Sequence, residues 1–180
     1  MARISSDDWV FAALRALARG GPQAVRVEVL ARELGVTKGS YYHHFGNRQD
    51  VLDACVRSWE DLATNEVIRQ IDSISGPPDE RLRRLAQLVF APHGDNDGIE
   101  AALRAWGGVD PSAAEAVERV DERRLSYVEG LLAAAGVPDP RARAELVYRA
   151  LIGEFAWRRA GGQPLPVSTI DLLCDLVLAR

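Results

Sequence analysis

The feature that most constrains the fold of this chain is a short segment, residues 27–48. Its first part carries four apolar residues at the i, i+3, i+4 and i+7 spacing of one helix face: Val27, Leu30, Ala31 and Leu34. Gly35 comes next, and glycine readily adopts the left-handed conformation that ends a helix. Thr37 is a good N-cap, so a second helix is predicted to begin at Lys38. A helix, a glycine turn and a capped helix together predict a helix-turn-helix.

The second helix of this segment is predicted over residues 38–44 and is too short to be stable without neighbours. Tyr41 and Phe45 share one face and are expected to anchor it to a small core. The other residues are left facing outward: Lys38, Gly39, Ser40, Tyr42, His43 and His44. Their ammonium, hydroxyl, phenol and imidazole groups can donate to phosphates and reach base edges in the major groove of DNA.

Lys38 stands apart because it is the only lysine in the chain. A lysine at the exposed start of this helix can serve as a compact, flexible phosphate contact. The alternative is chance in an arginine-rich sequence. Residues 1–50 carry seven basic and five acidic side chains, about +2, within a chain of net charge −4. A slightly basic N-terminal region and an acidic remainder of the chain are consistent with DNA binding by the N-terminal region alone.

A resemblance to a known family lies in residues 30–54, LARELGVTKGSYYHHFGNRQDVLDA. This run closely resembles the DNA-binding signature of TetR-type (TetR/AcrR) transcriptional repressors, I-A-x-x-x-G-V-[ST]-x-G-[ST]-[LFY]-Y-x-H-F-x-[ND]-[KR]-x-x-L. Nearly every fixed element is present, ending in Tyr42, His44, Phe45, Asn47, Arg48 and Leu52. The resemblance is specific over about the first fifty-five residues. Beyond them only the length and the all-helical pattern agree with the family.

The resemblance implies that the outward-facing residues 38–40 and 42–44 contact DNA. It also implies that Arg48, in the first turn of the next helix, binds a backbone phosphate with help from that helix's N-terminal dipole. The sequence departs from the family at one place. Val25 and Arg26 stand where the family often has two threonines that cap the first helix and touch phosphate. Arg26 can replace the phosphate contact but not the cap, and the alternative is an arginine that is merely solvated.

Bulk composition limits the class of protein. A chain of 180 residues can bury one substantial core, or a small domain plus a larger one. A net charge of −4 argues against a nonspecific nucleic-acid coat protein. Cys55 and Cys174 are far apart on apolar stretches and are expected to be buried free thiols. No signal-peptide pattern and no apolar run of the ~20 residues needed to span a bilayer is found, so a cytoplasmic protein without a membrane partner is expected.

Helical spacing interrupted by glycine and proline continues through the chain, and no segment shows a convincing strand pattern. The first helix is predicted to begin at Ser5 or Ser6, and a long helix to run from Asn47 to about Ser73, with about nine helices in all. The predicted fold is therefore all-α. A three-helix DNA-binding headpiece occupies residues 1–50, and a helical ligand-binding and dimerisation domain occupies residues 51–180. The long helix is expected to couple the two mechanically.

The last two helices are the predicted dimer surface, because they offer more apolar area than one chain requires. The residues expected at this interface are Leu146, Ala150, Gly153, Leu173 and Val177. In a two-fold homodimer such helices pack against their copies as a four-helix bundle. Two recognition helices ~34–36 Å apart can then read a palindromic operator in double-stranded DNA. The alternative is that these faces belong to the internal core.

A ligand-responsive regulator also needs a site that binds its effector. Helical bundles form ligand cavities with apolar walls and a few polar anchors. The predicted pocket residues are Trp59, Phe90, His93, Arg104, Trp106, Tyr127 and Tyr148. They favour a small, mainly hydrophobic or aromatic effector that releases the DNA by favouring a mismatched headpiece spacing. Taken singly, each is more often an ordinary core or surface residue.

Three other classes of protein compete with this interpretation. An enzyme is disfavoured because no phosphate loop, catalytic carboxylate pair or nucleophile elbow is found. A metal sensor is disfavoured because His43 and His44 point about 100° apart on a helix and no Cys or His cluster joins them. No metal or other cofactor is therefore predicted. A helical protein-interaction or small-molecule-binding module without DNA function explains the bundle but not the polar face of residues 38–44.

Overall fold

A computed structural model describes residues 4–92 and 94–179, and over these residues the chain is all-α without a strand, as predicted. The helices in chain order are α1 (Ser6–Gly20), α2 (Val27–Glu33), α3 (Lys38–Tyr42), α4 (Arg48–Glu60), α5 (Glu66–Asp72), α6 (Pro78–Phe90), α7 (Asp95–Gly107), α8 (Pro111–Ala134), α9 (Pro140–Arg159) and α10 (Val167–Leu178). A π-helical turn, Asp61–Asn65, joins α4 to α5 without a break. Counting that continuous stretch once gives nine helices in the described chain. None of them is long and apolar enough to cross a bilayer.

The helices form two compact units. Unit 1 contains the chain up to Asp61 together with Gly98–Val117. Unit 2 contains Leu62–Asp97 and the chain from Glu118 onward.

In unit 1, α1 packs against α2 and α4. The helix begins as predicted, because Ser5 is its N-cap and forms a capping box with Asp8. The Ser5 hydroxyl accepts from the Asp8 amide at 3.2 Å, and the Asp8 carboxylate accepts from the Ser5 amide at 2.7 Å. Seven side chains of α1 are buried: Trp9, Val10, Ala12, Ala13, Leu14, Ala16 and Leu17. Trp9 therefore packs inside the unit and does not present a stacking surface to DNA.

The α2–α3 pair has the predicted helix-turn-helix form, with two local differences. Gly35 has a φ of +68°, the left-handed conformation expected of it. Thr37 stands at the N-cap of α3, but its side chain makes no capping hydrogen bond. The helix also ends at Tyr42, so His43 and His44 lie in the turn that follows it. The prediction that the helix extends to His44 is therefore wrong. The chain must leave the helix there because Asn47, with an extended backbone at φ −153°, caps α4.

In unit 2, α6 packs on α5, α9 and α10. Its core contains Phe90, Leu132, Ile170 and Cys174, each almost fully buried. Charged groups are buried beside it. Arg158 pairs with Asp97 at 3.0 Å and donates to the Phe90 carbonyl oxygen at 2.9 Å. The Glu154 carboxylate, 5% exposed, accepts from the Leu165 amide at 3.0 Å and so ties α9 to the segment before α10.

Candidate nucleic-acid interface

The recognition helix α3 is held in place by an aromatic cluster. Tyr41 is fully buried, with its ring 5.2 Å from that of Trp9 and 5.3 Å from that of Phe45. Its hydroxyl donates to the Asn47 carbonyl oxygen at 2.8 Å. Burial raises the pKa of Tyr41 to about 12, so the phenol stays protonated and keeps this bond across the physiological pH range. Five residues of helix are thereby anchored from one side, as predicted.

The opposite side of this segment is open to solvent. Exposed residues here are Lys38, Gly39, Tyr42, His43 and His44, and Ser40 is half-buried. The Tyr42 side chain is 60% exposed although its ring also touches that of Tyr41 edge-on at 5.4 Å. An exposed aromatic phenol next to two exposed imidazoles gives donors and acceptors that are free to meet another molecule. These are the residues that the sequence predicts to contact DNA.

Lys38 is not isolated on this surface. Its ammonium nitrogen lies 2.6 Å from Oε1 of Glu28, a residue in the first turn of α2. The hydrogen bond from Lys38 lowers the pKa of the Glu28 carboxyl. Glu28 was not among the residues predicted from the sequence, because helical spacing shows only that it faces water. Nothing in the spacing of residues 28 and 38 indicates that the two side chains meet.

Arg48 makes contacts that the sequence did not predict. Its Nε donates to the Val25 carbonyl oxygen at 2.7 Å, and its Nη2 donates to the Pro22 carbonyl oxygen. The guanidinium therefore fastens the turn that precedes α2 to the start of α4. Arg26 is exposed at the N-cap of α2 and makes no side-chain capping bond. The first turn of α2 therefore lacks a side-chain cap, as expected, and Arg48 holds the segment that precedes the helix through its carbonyl oxygens.

The start of α4 is rigid for a further reason. The Asn47 side chain accepts from the Gln49 and Asp50 amides at 2.7 and 3.2 Å. The Asp50 carboxylate in turn accepts from the Gly46 and Asn47 amides at 2.8 and 3.1 Å. Since this capping box fixes the turn between α3 and α4, it also fixes where the two histidines before it stand.

The residues predicted to line an effector pocket fall into separate groups. Trp59 and Arg104 come together in unit 1, where both bond to Glu100, a side chain only 4% exposed. The Trp59 indole nitrogen donates to Oε2 of Glu100 at 2.8 Å, and Nε of Arg104 donates to Oε1 at 2.9 Å. Trp106 is buried in the same unit. Glu100 was not predicted from the sequence, where its only local signal is the i, i+4 spacing to Arg104.

The remaining pocket candidates belong to unit 2. Phe90 is fully buried, and the Tyr148 hydroxyl donates to Asp121 at 2.6 Å. The Tyr127 hydroxyl donates to Asp72 at 2.8 Å. His93 lies outside the residues that the structure describes. The Tyr127 and Tyr148 hydroxyls therefore both have a carboxylate partner within the unit.

The predicted dimer residues divide between exposed and buried positions. Leu146 is 63% exposed, Gly153 is exposed, and Ala150 and Leu173 are half-buried. Val177 is buried in the core of unit 2. Leu172 and Leu176 of α10, which were not among the predicted interface residues, are both more than half exposed. Trp157, on the same face of α9 as Leu146, is 61% exposed. Its indole nitrogen donates to the Gln163 carbonyl oxygen, and a Cβ at Gly162 would lie 2.1 Å from that nitrogen.

No metal site is formed by the part of the chain that the structure describes, since no three His, Cys, Asp or Glu side chains are grouped to hold an ion.

Comparison with known proteins agrees with the helix-turn-helix assignment. Residues 11–55 match the model of the family described as bacterial regulatory proteins, tetR family. No match was found among curated proteins. The whole fold is similar to that of a TetR-family transcriptional regulator from Agrobacterium tumefaciens, with a TM-score of 0.77 and 20% identity over 97% of this chain and 96% of that one.

Two further solved structures are similar over nearly their full length. One is a protein from Saccharomonospora viridis, described as a transcriptional regulator, in complex with choline, with a TM-score of 0.80 and 20% identity over 97% of this chain and 96% of that one. The other is the fatty acid degradation regulator FadR from Bacillus halodurans, with a TM-score of 0.75 and 19% identity over 97% and 94%. At such identities the likeness shows a shared fold. The helix-turn-helix segment of this chain thus matches the model of the tetR family of bacterial regulatory proteins, and the chain shares the fold of a TetR-family transcriptional regulator along its whole length.

Proposed function

We propose that the protein is a ligand-responsive transcriptional repressor that acts in the cytoplasm and binds a palindromic operator as a homodimer. Residues 1–50 bind DNA in this proposal, and residues 51–180 bind the effector and hold the dimer together. The observation that carries it is the two-sided recognition helix. Tyr41 is fully buried beneath an exposed face of Lys38, Tyr42, His43 and His44.

The chemistry of that exposed face suits DNA better than a protein partner. A helix that binds a groove of a protein partner presents a row of apolar anchors at i, i+3, i+4 and i+7. This face instead offers an ammonium, a phenol, two imidazoles and the bare backbone of Gly39. These groups bind phosphate oxygens and base edges. Arg26 and Arg48 add positive charge before and after α3 in the chain, although two nitrogens of Arg48 already donate to carbonyl oxygens.

Dimerisation is supported by apolar side chains that the single chain leaves exposed. On α9 the residues Leu146, Ala150, Gly153 and Trp157 share one face at i, i+4, i+7 and i+11, and on α10 Leu172 and Leu176 share another. Contiguous exposed apolar surface of this kind marks an association site in a water-soluble chain. Because Gly153 has no side chain, two copies of α9 can approach closely there.

The effector site is proposed at the Trp59–Glu100–Arg104 cluster, with Phe90, Tyr127 and Tyr148 of unit 2 as a second group of candidates. Buried aromatic side chains favour a mainly hydrophobic or aromatic molecule. The protein from Saccharomonospora viridis is in complex with choline, a cation. Here the Glu100 carboxylate is already paired with Arg104 at 2.8 Å, and this disfavours a cationic effector at the cluster.

The competing proposal is a helical module that binds a protein or a small molecule and does not bind DNA. A gel shift with fragments of bacterial genomic DNA, repeated at several salt concentrations, separates the two. We expect affinity to fall steeply with salt, since phosphate contacts release counterions. If Lys38 binds a phosphate, Lys38→Ala flattens the slope of log affinity against log salt by about one unit, whereas a lysine that binds a base edge leaves this slope nearly unchanged. The matched control is Arg69→Ala, which removes an equally exposed cation paired with an acid in unit 2 and should leave the slope unchanged.

If the unmodified protein gives no salt-dependent gel shift, the regulator proposal is refuted and the protein-binding or small-molecule-binding module is favoured. An unchanged slope in Lys38→Ala would remove only that lysine from the phosphate contacts. Sequencing of the retained fragments identifies the operator, and a reporter gene placed behind it tests whether bound protein lowers transcription.

A further inference from the structure

The ion pair between Glu28 and Lys38 needs an explanation other than stability. Its two side chains are 60% and 57% exposed, and the charged atoms are 2.6 Å apart. Surface pairs of this kind contribute little to the free energy of folding because solvent screens both charges. The pair also joins the first turn of α2 to the first turn of α3, on the side where α3 is open to solvent. It therefore lies on the surface that the proposed function assigns to DNA.

A carboxylate at this place is a disadvantage for contact with the DNA backbone. Because the hydrogen bond from Lys38 lowers the pKa of Glu28, the side chain is ionised at neutral pH. A fixed negative charge is repelled by every phosphate and weakens binding to all sequences alike. Base edges are different, since cytosine N4 and adenine N6 present hydrogen-bond donors in the major groove that a carboxylate can accept from.

The geometry of the pair matches the edge of one base pair. In a G·C pair the guanine O6 acceptor and the cytosine N4 donor are themselves hydrogen-bonded and so lie roughly 2.9 Å apart. The Lys38 ammonium and the Glu28 carboxylate present a donor and an acceptor at 2.6 Å. An ammonium has three donors, so Lys38 can keep its bond to Glu28 while it donates to a base. The pair does not have to break when DNA binds.

The same pair fits T·A less well. Guanine offers two neighbouring acceptors, O6 and N7, to the ammonium, whereas thymine offers one acceptor beside a methyl group. A carboxylate that accepts from adenine N6 also meets the N7 acceptor of the same base, which repels it. Cytosine has no second acceptor in the major groove. Both charged groups therefore favour G·C over T·A.

We propose that Glu28 and Lys38 together read one G·C pair in each half of the operator, with Lys38 on guanine O6 and N7 and Glu28 on cytosine N4. This inference rests on the proposed function. Glu28 is then a specificity-determining residue that lowers affinity for DNA in general and raises discrimination at one position.

The test is selection of binding sites by the full-length protein from a random duplex library, followed by sequencing. The unmodified protein should enrich sites with a favoured G·C position in each half. Glu28→Ala and Lys38→Ala should both reduce the preference for G·C at that same position, roughly 5- to 100-fold, and leave the other positions in place. The matched control is Glu66→Ala, which removes a carboxylate that is 57% exposed and paired with Arg69 at 2.7 Å, and this variant should select the unchanged site.

Two results would overturn the inference while the proposed function stands. In one, Glu28→Ala tightens binding to every sequence and selects the same site, so that the carboxylate only repels phosphates. In the other, the two variants lose discrimination at different positions and so do not read one base pair. If the unmodified protein enriches no sequence at all, the proposed function fails and takes this inference with it.

Discussion

Arg48 offers a test that separates a structural role from a DNA contact. The family resemblance predicts that Arg48 binds a backbone phosphate, and the structure shows its guanidinium bound to the Val25 and Pro22 carbonyl oxygens. Arg48→Lys keeps the positive charge but replaces a planar fork of donors with a single ammonium. A lysine can keep at most one of the two carbonyl contacts. The substitution therefore weakens the clamp and leaves the charge on the DNA-facing side.

The expected cost follows from the bonds that are lost. A hydrogen bond from a charged donor contributes ~1.5–3 kcal/mol where it is buried. Arg48 is exposed, so the loss of one such bond is expected to cost about 1–2 kcal/mol. For a chain of this size, 1 kcal/mol lowers the Tm by ~2–4 °C. Arg48→Lys should thus unfold about 2–8 °C below the unmodified protein in a melt followed by far-UV circular dichroism.

DNA binding provides the second measurement. Arg48→Lys should lose operator affinity because the start of α2 is less firmly held, yet keep the salt slope because the charge remains. Arg57→Lys makes the same change at an exposed position on the same helix and is the control for both assays. A variant Arg48→Lys with unchanged Tm and unchanged affinity would show that one charge suffices at this position. The clamp would then have no consequence for stability or for binding.

The remaining predictions concern the exposed face, the dimer and the thiols. Tyr42→Ala and His44→Ala should abolish operator binding in a gel shift with fold and dimer intact, and an unfolded product would mark them as packing residues. Gly153→Glu should raise the dimer dissociation constant at least about 30-fold in sedimentation equilibrium, since a charge becomes buried at the interface. The control Gly130→Glu should not, although both glycines are exposed and have open space for a Cβ; an intact Gly153→Glu dimer would place the interface elsewhere. Both cysteines are buried and burial raises the pKa of Cys55 to about 12, so neither thiol should react with a disulfide reagent at pH 8 before denaturant is added; rapid labelling of the folded protein would contradict this.

Local sequence signals were sufficient for most of the fold. Ser5 and Asp8 identify the start of α1 in the sequence, because the two partners of a capping box are only three positions apart. Gly35 identifies the turn between α2 and α3, because the φ of +68° required there favours glycine. Apolar spacing placed Tyr41 inward, where the structure finds it fully buried. Each of these features depends on neighbours within one or two turns, and such neighbours are visible in a sequence.

The features that were missed depend on partners far away in the chain. Glu100 reads as a surface residue, and its burial follows from the indole of Trp59, which is 41 positions earlier. The π-helical turn at Asp61–Asn65 has no sequence signature. It is held by Arg124, which donates to the Thr64 hydroxyl at 3.0 Å and to the Ala63 carbonyl oxygen at 3.2 Å. Similarly, the clamp of Arg48 on the turn before α2 spans more than twenty residues.

The positions of the tryptophans allow their intrinsic fluorescence to report on two parts of the molecule separately. The chain has four, and three of them are almost fully enclosed: Trp9, Trp59 and Trp106. Trp157 instead sits in water against the bare backbone of Gly162. In the single chain, iodide or acrylamide should therefore quench the red-shifted emission of Trp157 and spare the blue-shifted emission of the others. Shielding of Trp157 would report that a second copy covers α9, while a shift in the blue component would report a change around the interior indoles, all without an attached dye.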